Sequence, residues 1–491
     1  MAGATANENA LPILDSPLRP PLPSPGRLGI GRVSRSNLSR AGGGVVLNRF
    51  FQLSARGTDV KTELLAGLTT FLTMAYIIFV QPAVLSTDLA GRPTGMDLGA
   101  VLVATCVGSA LASVLMGLLA DYPIALAPGM GENFFFVTVV MALGRMGVPD
   151  AWQTALGMVF LSGVAFILLT IFRVREAVID AISPSMRNGI AAGIGLFIAS
   201  IGLQHAGLIV GRPGTLVGLS NQLGTADMAV FGLGLIGAGA LLARRVRGAL
   251  LWGILASTAL ALALGKIHYA GLVGLPEVHG RAAFSLNIGR ALDPALAPFI
   301  IVFLFMGLFD TVGTLVGVAE QAGLMKENRL PRANRALLAD ATGITAGACL
   351  GTSTITCYIE SAAGVAAGGR TGLTAVVTGV LFLAALLLGP LVKMIAGYPP
   401  ITAPALVLVG AMMLQSARRI DWDDPSEALP VFLTVAGIPL SSSIADGLAL
   451  GFVSYPVVKL LGGRWRDVHW LSYVMAALLV AYLLLVRNRL G

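Results

Sequence analysis

The sequence predicts an all-α polytopic membrane protein with seven plus seven transmembrane segments. Three observations carry this. Apolar residues make up 56% of the 491 and charged residues only 12%, where a soluble chain carries roughly a quarter charged residues. Apolar stretches able to cross a hydrocarbon core of about 30 Å recur from Thr62 to the C-terminus. Finally, two segments too short to cross as helices occupy the third place in each group of seven.

Residues 1 to about 48 are rich in Pro, Gly, Ser and Arg, with no apolar run long enough for a signal peptide. They read as a disordered cytoplasmic tail. The first seven spans are expected near 62–86, 98–120, 129–143, 151–171, 184–205, 228–243 and 248–265. A polar loop over 266–296 separates them from 297–318, 335–350, 359–369, 371–394, 401–417, 427–440 and 442–462. A last apolar segment, 469–487, is free either to span or to lie at the interface. Gly-rich stretches such as Gly189–Gly193 and Gly232–Gly237 suit close helix packing and, without a surrounding βαβ unit, are no nucleotide fingerprint.

Charge sets the orientation. With the N-terminus inside, the cytoplasmic span ends carry Arg173 and Arg175, then Arg244, Arg245 and Arg247, then Lys326, Arg329, Arg332 and Arg335. Arg418 and Arg419 follow, then Lys459, Arg464 and Arg466. The net charge of +8 is thus a topology signal, and nucleic-acid binding is excluded as the reason for it. Cys106, Cys349 and Cys357 lie in or beside apolar segments and form no disulfide framework or metal site.

The chemistry is expected at the two interrupted segments. In the first, Asp121–Pro128 runs as a short extended piece into Gly129-Met130-Gly131-Glu132-Asn133-Phe134. In the second, Gly351–Ile359 runs into Glu360-Ser361-Ala362-Ala363-Gly364. Extended backbone survives at membrane depth only inside protein or around a cavity. A matched pair of such breaks points to a transporter site at the midplane, with both helix N-termini aimed at it. Short strands are therefore expected in spans 3 and 10.

Carboxylates sharpen the picture. Asp310 lies mid-span in Phe303–Thr314, Asp340 falls in the next span, and Glu132 and Glu360 open the two half-helices. An acid at this depth costs several kcal/mol unless paired, solvated or protonated, so it is functional by default. The plainer alternative, a carboxylate capping a broken helix, is strongest for Asp340. A carboxylate accepting two parallel N–H bonds suits a purine edge, and the same group can carry a proton. Phe134, Phe135, Phe309 and Tyr358 are near enough in sequence to stack on a flat ring.

These residues resemble the nucleobase–cation symporters of the xanthine/uracil permease superfamily, specifically the azaguanine-type purine permeases. The likeness covers about 48–487 and is strongest at Phe71–Val80, Ala127–Gly131, Leu308–Thr314 and Gly351–Thr374. It implies two inverted seven-span repeats, 62–265 and 297–462. It also implies a core domain of spans 1–4 and 8–11 (about 62–172 plus 297–394) and a gate domain of spans 5–7 and 12–14 (173–265 plus 395–462). The implied activity is proton-coupled uptake of adenine, guanine or hypoxanthine across the inner membrane, with no cofactor and no enzymatic chemistry. Xanthine, uracil or sodium coupling stay open as alternatives, and a homodimer is common in the fold.

The resemblance places substrate at Glu360, Asn133 and Asp310, with Gly129, Glu132, Phe309 and Ser361 beside them. Asp310, Glu360 and Asp340 are the candidates for proton coupling. Three departures stand out. Gly307 replaces the first acid of an Asp-x-x-Asp pair, Glu132 and Phe134 alter the Gly-Leu-Asn-Ala pattern around Asn133, and Gln81 replaces a first-span asparagine. Glu132 is expected to supply the carboxylate that Gly307 lacks. An anion carrier of the sulfate-transporter type would need a positive site, which the midplane acids oppose.

Overall fold

The computed structural model describes residues 42–89, 91–172, 182–212, 215–325 and 330–487. Most of the expected tail, and Arg173, Arg175, Lys326 and Arg329, lie outside these residues. The last part of the expected tail is helical instead, as α1 (Gly42–Phe51). Phe51 and Leu53 explain the difference: both are buried against Leu373.

The first group follows as α2 (Val60–Met74), α3 (Ile77–Ser86), α4 (Leu98–Leu115), β1 (Leu126–Pro128), α5 (Met130–Arg145), α6 (Ala151–Ile171) and α7 (Pro184–His205). A hairpin, β2 (Ile209–Arg212) and β3 (Thr215–Leu219), precedes α8 (Ala226–Ala243) and α9 (Ala249–Ala263). The second group comprises α10 (Ala297–Gln321), α11 (Ala333–Leu350), β4 (Ile355–Cys357), α12 (Ser361–Ala366) and α13 (Gly372–Ala384). It continues with α14 (Gly389–Ala396), α15 (Pro399–Met413), α16 (Pro425–Ser441) and α17 (Ile444–Leu461). The protein is therefore mainly helical, two interrupted spans included, as the sequence predicts.

The last apolar segment forms α18 (Trp470–Ala481), which packs along α17. Its Tyr482 hydroxyl donates to Asp446 (2.8 Å) and its ring meets Phe299 edge-on. The 371–394 stretch, expected as one span, breaks at Leu388 into α13 and α14. The β2–β3 hairpin was not expected from the sequence.

Large apolar side chains such as Ile236, Phe432 and Val380 remain exposed on helix faces, as lipid contact requires. Inside, the helices sort into two packing groups. Helices α2, α4, α6, α10, α11, α12 and α13 pack on one another, while α7, α8, α9, α15, α16 and α17 do so separately. Small residues permit the second set of contacts. A Cβ on Gly195 would come within 2.7 Å of the Gly410 carbonyl, and one on Gly234 within 2.7 Å of Pro404. Gly232 and Gly237, read from the sequence as packing glycines, face open space.

Buried acids fasten the ends of the first group. Glu63, fully buried, accepts from the backbone N–H of Arg370 (2.9 Å) and from the N–H and hydroxyl of Thr374 (3.2 and 2.5 Å). It thereby satisfies orphan donors at the start of α13. Asp121, in the left-handed region at φ 55°, accepts from Arg56 (2.5 Å), Arg332 (3.3 Å) and the Gly372 N–H (2.8 Å). The extended piece that leads to β1 starts from this anchor.

In the second group, Lys459 is 2% exposed and pairs with Glu427 (2.8 Å) and Asp424 (3.5 Å). Ser183 also donates to Glu427 (2.6 Å), and the cluster borders a polar cavity of about 450 Å³. Asp424 lies outside the spans, and its hydrogen bonds to Ser426 and Arg464 hold its carboxyl well below the usual carboxylate range. Lys459→Met should leave Glu427 without its cation, while Asp424 keeps Arg464, and lower the stability of detergent-solubilised protein by about 3 kcal/mol. A thermal melt unchanged within a degree would show that the pair contributes nothing.

Candidate functional site

The two interrupted segments meet. β1 and β4 pair antiparallel in the register Leu126↔Cys357, Ala127↔Thr356 and Pro128↔Ile355. Backbone bonds from Gly129 N to Thr354 O and from Tyr358 N to Ala125 O, both 3.0 Å, extend the pairing at each end. The strands pair with one another, outward groups of Leu126 and Pro128 bond Ser113 and the Tyr358 hydroxyl, and all six residues are buried, so no edge faces lipid. Corresponding pieces of the two halves running antiparallel is what an inverted repeat requires.

Each strand hands over to a helix that carries acids. Gly129 caps α5 and accepts the Asn133 N–H. A Cβ there would meet Thr356 Cγ2 at 2.7 Å and crowd the Glu132 carboxylate, so glycine is needed to let the acid fold back over the helix start. Glu132 is only 3% exposed. Glu360 caps α12, is half-buried, and accepts from the Tyr76 hydroxyl (2.9 Å). Tyr76 stands at the break between α2 and α3, which turns its ring inward.

Asp310 sits in the middle of α10, beside Thr356, and is exposed where Glu132 and Asp340 are buried. Its neighbour Thr311 turns the other way, donating to Asp340 (2.7 Å) and lying 3.0 Å from the Thr356 hydroxyl. Asp340 is fully enclosed, with the Cys357 thiol 3.5 Å away. Glu132 interacts electrostatically with Asp310 and Asp340, and Asp310 with Glu360. Four acids therefore share one centre. Among the described residues, none of them belongs to an ion pair.

Other residues singled out from the sequence take different positions. Ser361 is fully buried, its hydroxyl accepting from the Ala125 N–H (3.0 Å), so it ties α12 to the approach to β1. Phe309 is half-buried and stacks on Phe305 one turn away, at 5.9 Å and 9°. Phe134 packs edge-on against Phe197, and Phe135 against Phe303. Both are fully buried in these contacts and present no free face. Tyr358 donates to the Pro128 carbonyl (2.6 Å), across the strand pair.

A second polar chain runs behind the acids, and sequence reasoning missed most of it. Gln81 Nε2 donates to the hydroxyls of Thr352 and Ser353, both at 3.0 Å, and Ser353 donates to Asn133 Oδ1. Gln81 was legible as the residue standing in place of a first-span asparagine, and Tyr76 only as part of the Phe71–Val80 stretch. At Gly307, a Cβ would rest in ordinary contact with Ile344 (3.4 Å) and Thr354 (3.5 Å), so α10 offers no carboxylate at that turn.

Known proteins resemble this chain over most of its length. The family model described as "Permease family" matches residues 61–450. The chain is 42% identical to adenine permease AdeP of Escherichia coli, over 91% of this chain and 98% of that one. It is also 42% identical to guanine/hypoxanthine permease PbuO of Bacillus subtilis, over 87% and 98%. Among solved structures, the transmembrane domain of a cyanobacterium bicarbonate transporter, BicA, superposes with a TM-score of 0.58 at 15% identity, over 80% of this chain and 97% of that one. The likeness to BicA speaks for the fold, that of two inverted seven-span repeats.

Proposed function

The chain belongs to the xanthine/uracil permease family, and from that premise we propose that it is a proton-coupled symporter of purine nucleobases: adenine, guanine or hypoxanthine. The observation that carries this reading is the cluster of Glu132, Asp310, Asp340 and Glu360 around the paired strands, with no cation paired to any of them among the described residues. An anionic cargo would be repelled there. A neutral heterocycle with N–H groups offers the donors that such acids lack, and a bound proton relieves their mutual repulsion.

In this reading Glu360 accepts N–H bonds from the base, held by Tyr76, while Asn133 and Glu132 contact it from α5. Asp310, the exposed acid of the cluster, exchanges the proton. Asp340 and Ser361 serve as supports. Movement of the two packing groups against each other alternates access, and the basic span ends support a cytoplasmic N-terminus at the inner membrane. The names of the relatives support a nucleobase cargo.

Two measurements test the reading. In cells lacking their own permeases, radiolabelled adenine uptake should be suppressed by unlabelled adenine, guanine or hypoxanthine and left unchanged by pyrimidines and xanthine. In proteoliposomes without sodium, an inward proton gradient should drive accumulation, and substrate should bind tighter as the site acid protonates. Uptake blocked by uracil or xanthine alone would reassign the cargo. Accumulation that requires a sodium gradient would reassign the ion.

A further inference from the structure

Asn133 is an amide, able to offer a base either a donor or an acceptor, and its own contacts leave the choice to its neighbours. Gln81, Ser353 and Asn133 are all fully buried. Gln81 spends both amide hydrogens, on Thr352 and on Ser353. The Ser353 oxygen thus accepts from Gln81, and its single hydrogen goes to Asn133 Oδ1. That occupies the carbonyl of Asn133. Among the described residues its NH2 is left with only the Met130 thioether, 4.0 Å away, a weak acceptor on a flexible side chain.

We infer that Gln81 is a positioning and specificity residue: through Ser353 it fixes the polarity of Asn133, so that this amide donates to the base. The inference rests on the nucleobase reading above. The reach of the side chain is essential, because the glutamine amide must bridge from α3 to two hydroxyls on the approach to β4. Gln81 Oε1 has no hydrogen-bond partner among the described residues. An opposite Gln81 rotamer would instead accept from both hydroxyls. Ser353 would then have no hydrogen for Asn133, which would have to turn its carbonyl outward. The observed polarity therefore leaves one buried oxygen unsatisfied and gains a donor at the site.

Adenine and hypoxanthine distinguish the two polarities. Along the C6–N1 edge, hypoxanthine presents an acceptor then a donor, and adenine a donor then an acceptor. With Asn133 facing the C6 substituent, its NH2 bonds the hypoxanthine O6 and its carbonyl would bond the adenine 6-amino group, so reversing the amide has opposite consequences for the two bases. The experiment is competition by each base against the same labelled substrate in wild type, Gln81→Glu, Ser353→Ala and Thr352→Ala, with membrane abundance measured for each. Gln81→Glu places an acceptor before Ser353 and should shift the hypoxanthine-to-adenine preference by at least roughly tenfold towards adenine. Ser353→Ala removes the relay and should move the ratio in the same direction by less. Thr352→Ala, which removes the second hydroxyl holding the Gln81 amide, should move the ratio in that direction by less still.

Should Gln81→Glu fail to reach the membrane, the Ser353→Ala ratio decides alone. Equal loss for both bases in every variant that reaches the membrane would overturn the relay and leave the nucleobase reading intact. Wild-type protein that takes up neither base would overturn both.

Discussion

Glu360→Gln should abolish nucleobase uptake, by at least ~100-fold, while the protein stays in the membrane at its usual level. The substitution keeps the size of the side chain and an oxygen for the Tyr76 hydroxyl, so the contact between the α2–α3 break and α12 survives. What disappears is a charged acceptor for two N–H groups of the base. Charge-assisted hydrogen bonds contribute about 1.5–3 kcal/mol each, so losing two costs about 3 kcal/mol or more in binding. The proton held among Asp310 and Glu360 loses one of its sites as well. Tyr76→Phe should be milder, because it leaves the carboxylate in place and removes only its orienting partner. Initial uptake rates set against membrane abundance decide the matter, and Glu360→Gln uptake above about a tenth of wild type would remove Glu360 from the site.

Much of this architecture was legible because lipid imposes simple rules. Without water, backbone polar groups must pair internally, so apolar runs had to be helices and the two runs too short to span had to be buried extended pieces. The same rule made Asp310, Glu132 and Glu360 conspicuous. The partners of these acids were another matter. Tyr76, Gln81 and Ser353 reach the centre from helix breaks and strand ends, and which face they present depends on packing between elements far apart in sequence. Gln81 and Ser353 are separated by 272 positions. The stacking role read for Phe134 and Phe135 illustrates the converse. Phe134, two positions after Glu132, lies round the far side of α5, and Phe135, three positions on, is taken up by Phe303, so both rings go to the core. The hairpin at 209–219 and the break at Leu388 left no strong pattern, because polar turns and short helices carry little periodicity.

Glu132→Gln carries the second large effect, and it tests where the missing carboxylate went. At Gly307 the α10 helix presents no side chain, and the space beside it is bounded by Ile344 and Thr354 at ordinary contact distance. Across the site, Glu132 is enclosed, interacts with Asp310 and Asp340, and is not ion-paired among the described residues. Burying such a charge opposes folding, so its neutral isostere should be at least as stable as wild type in a detergent melt. Uptake should nevertheless fall by at least ~100-fold, for the same loss of charge-assisted bonding argued for Glu360. A variant that is stable, present in the membrane and inactive is what a ligand-binding acid gives; a structural acid would lose stability first. Gly307→Asp, added to Glu132→Gln, restores a carboxylate from the opposite helix with room for its Cβ. The double variant should regain at least about tenfold of the lost uptake. Unchanged uptake in the single variant would discard the exchange of acids, and failure of the double variant to improve on it would show that the two positions are not equivalent across the site.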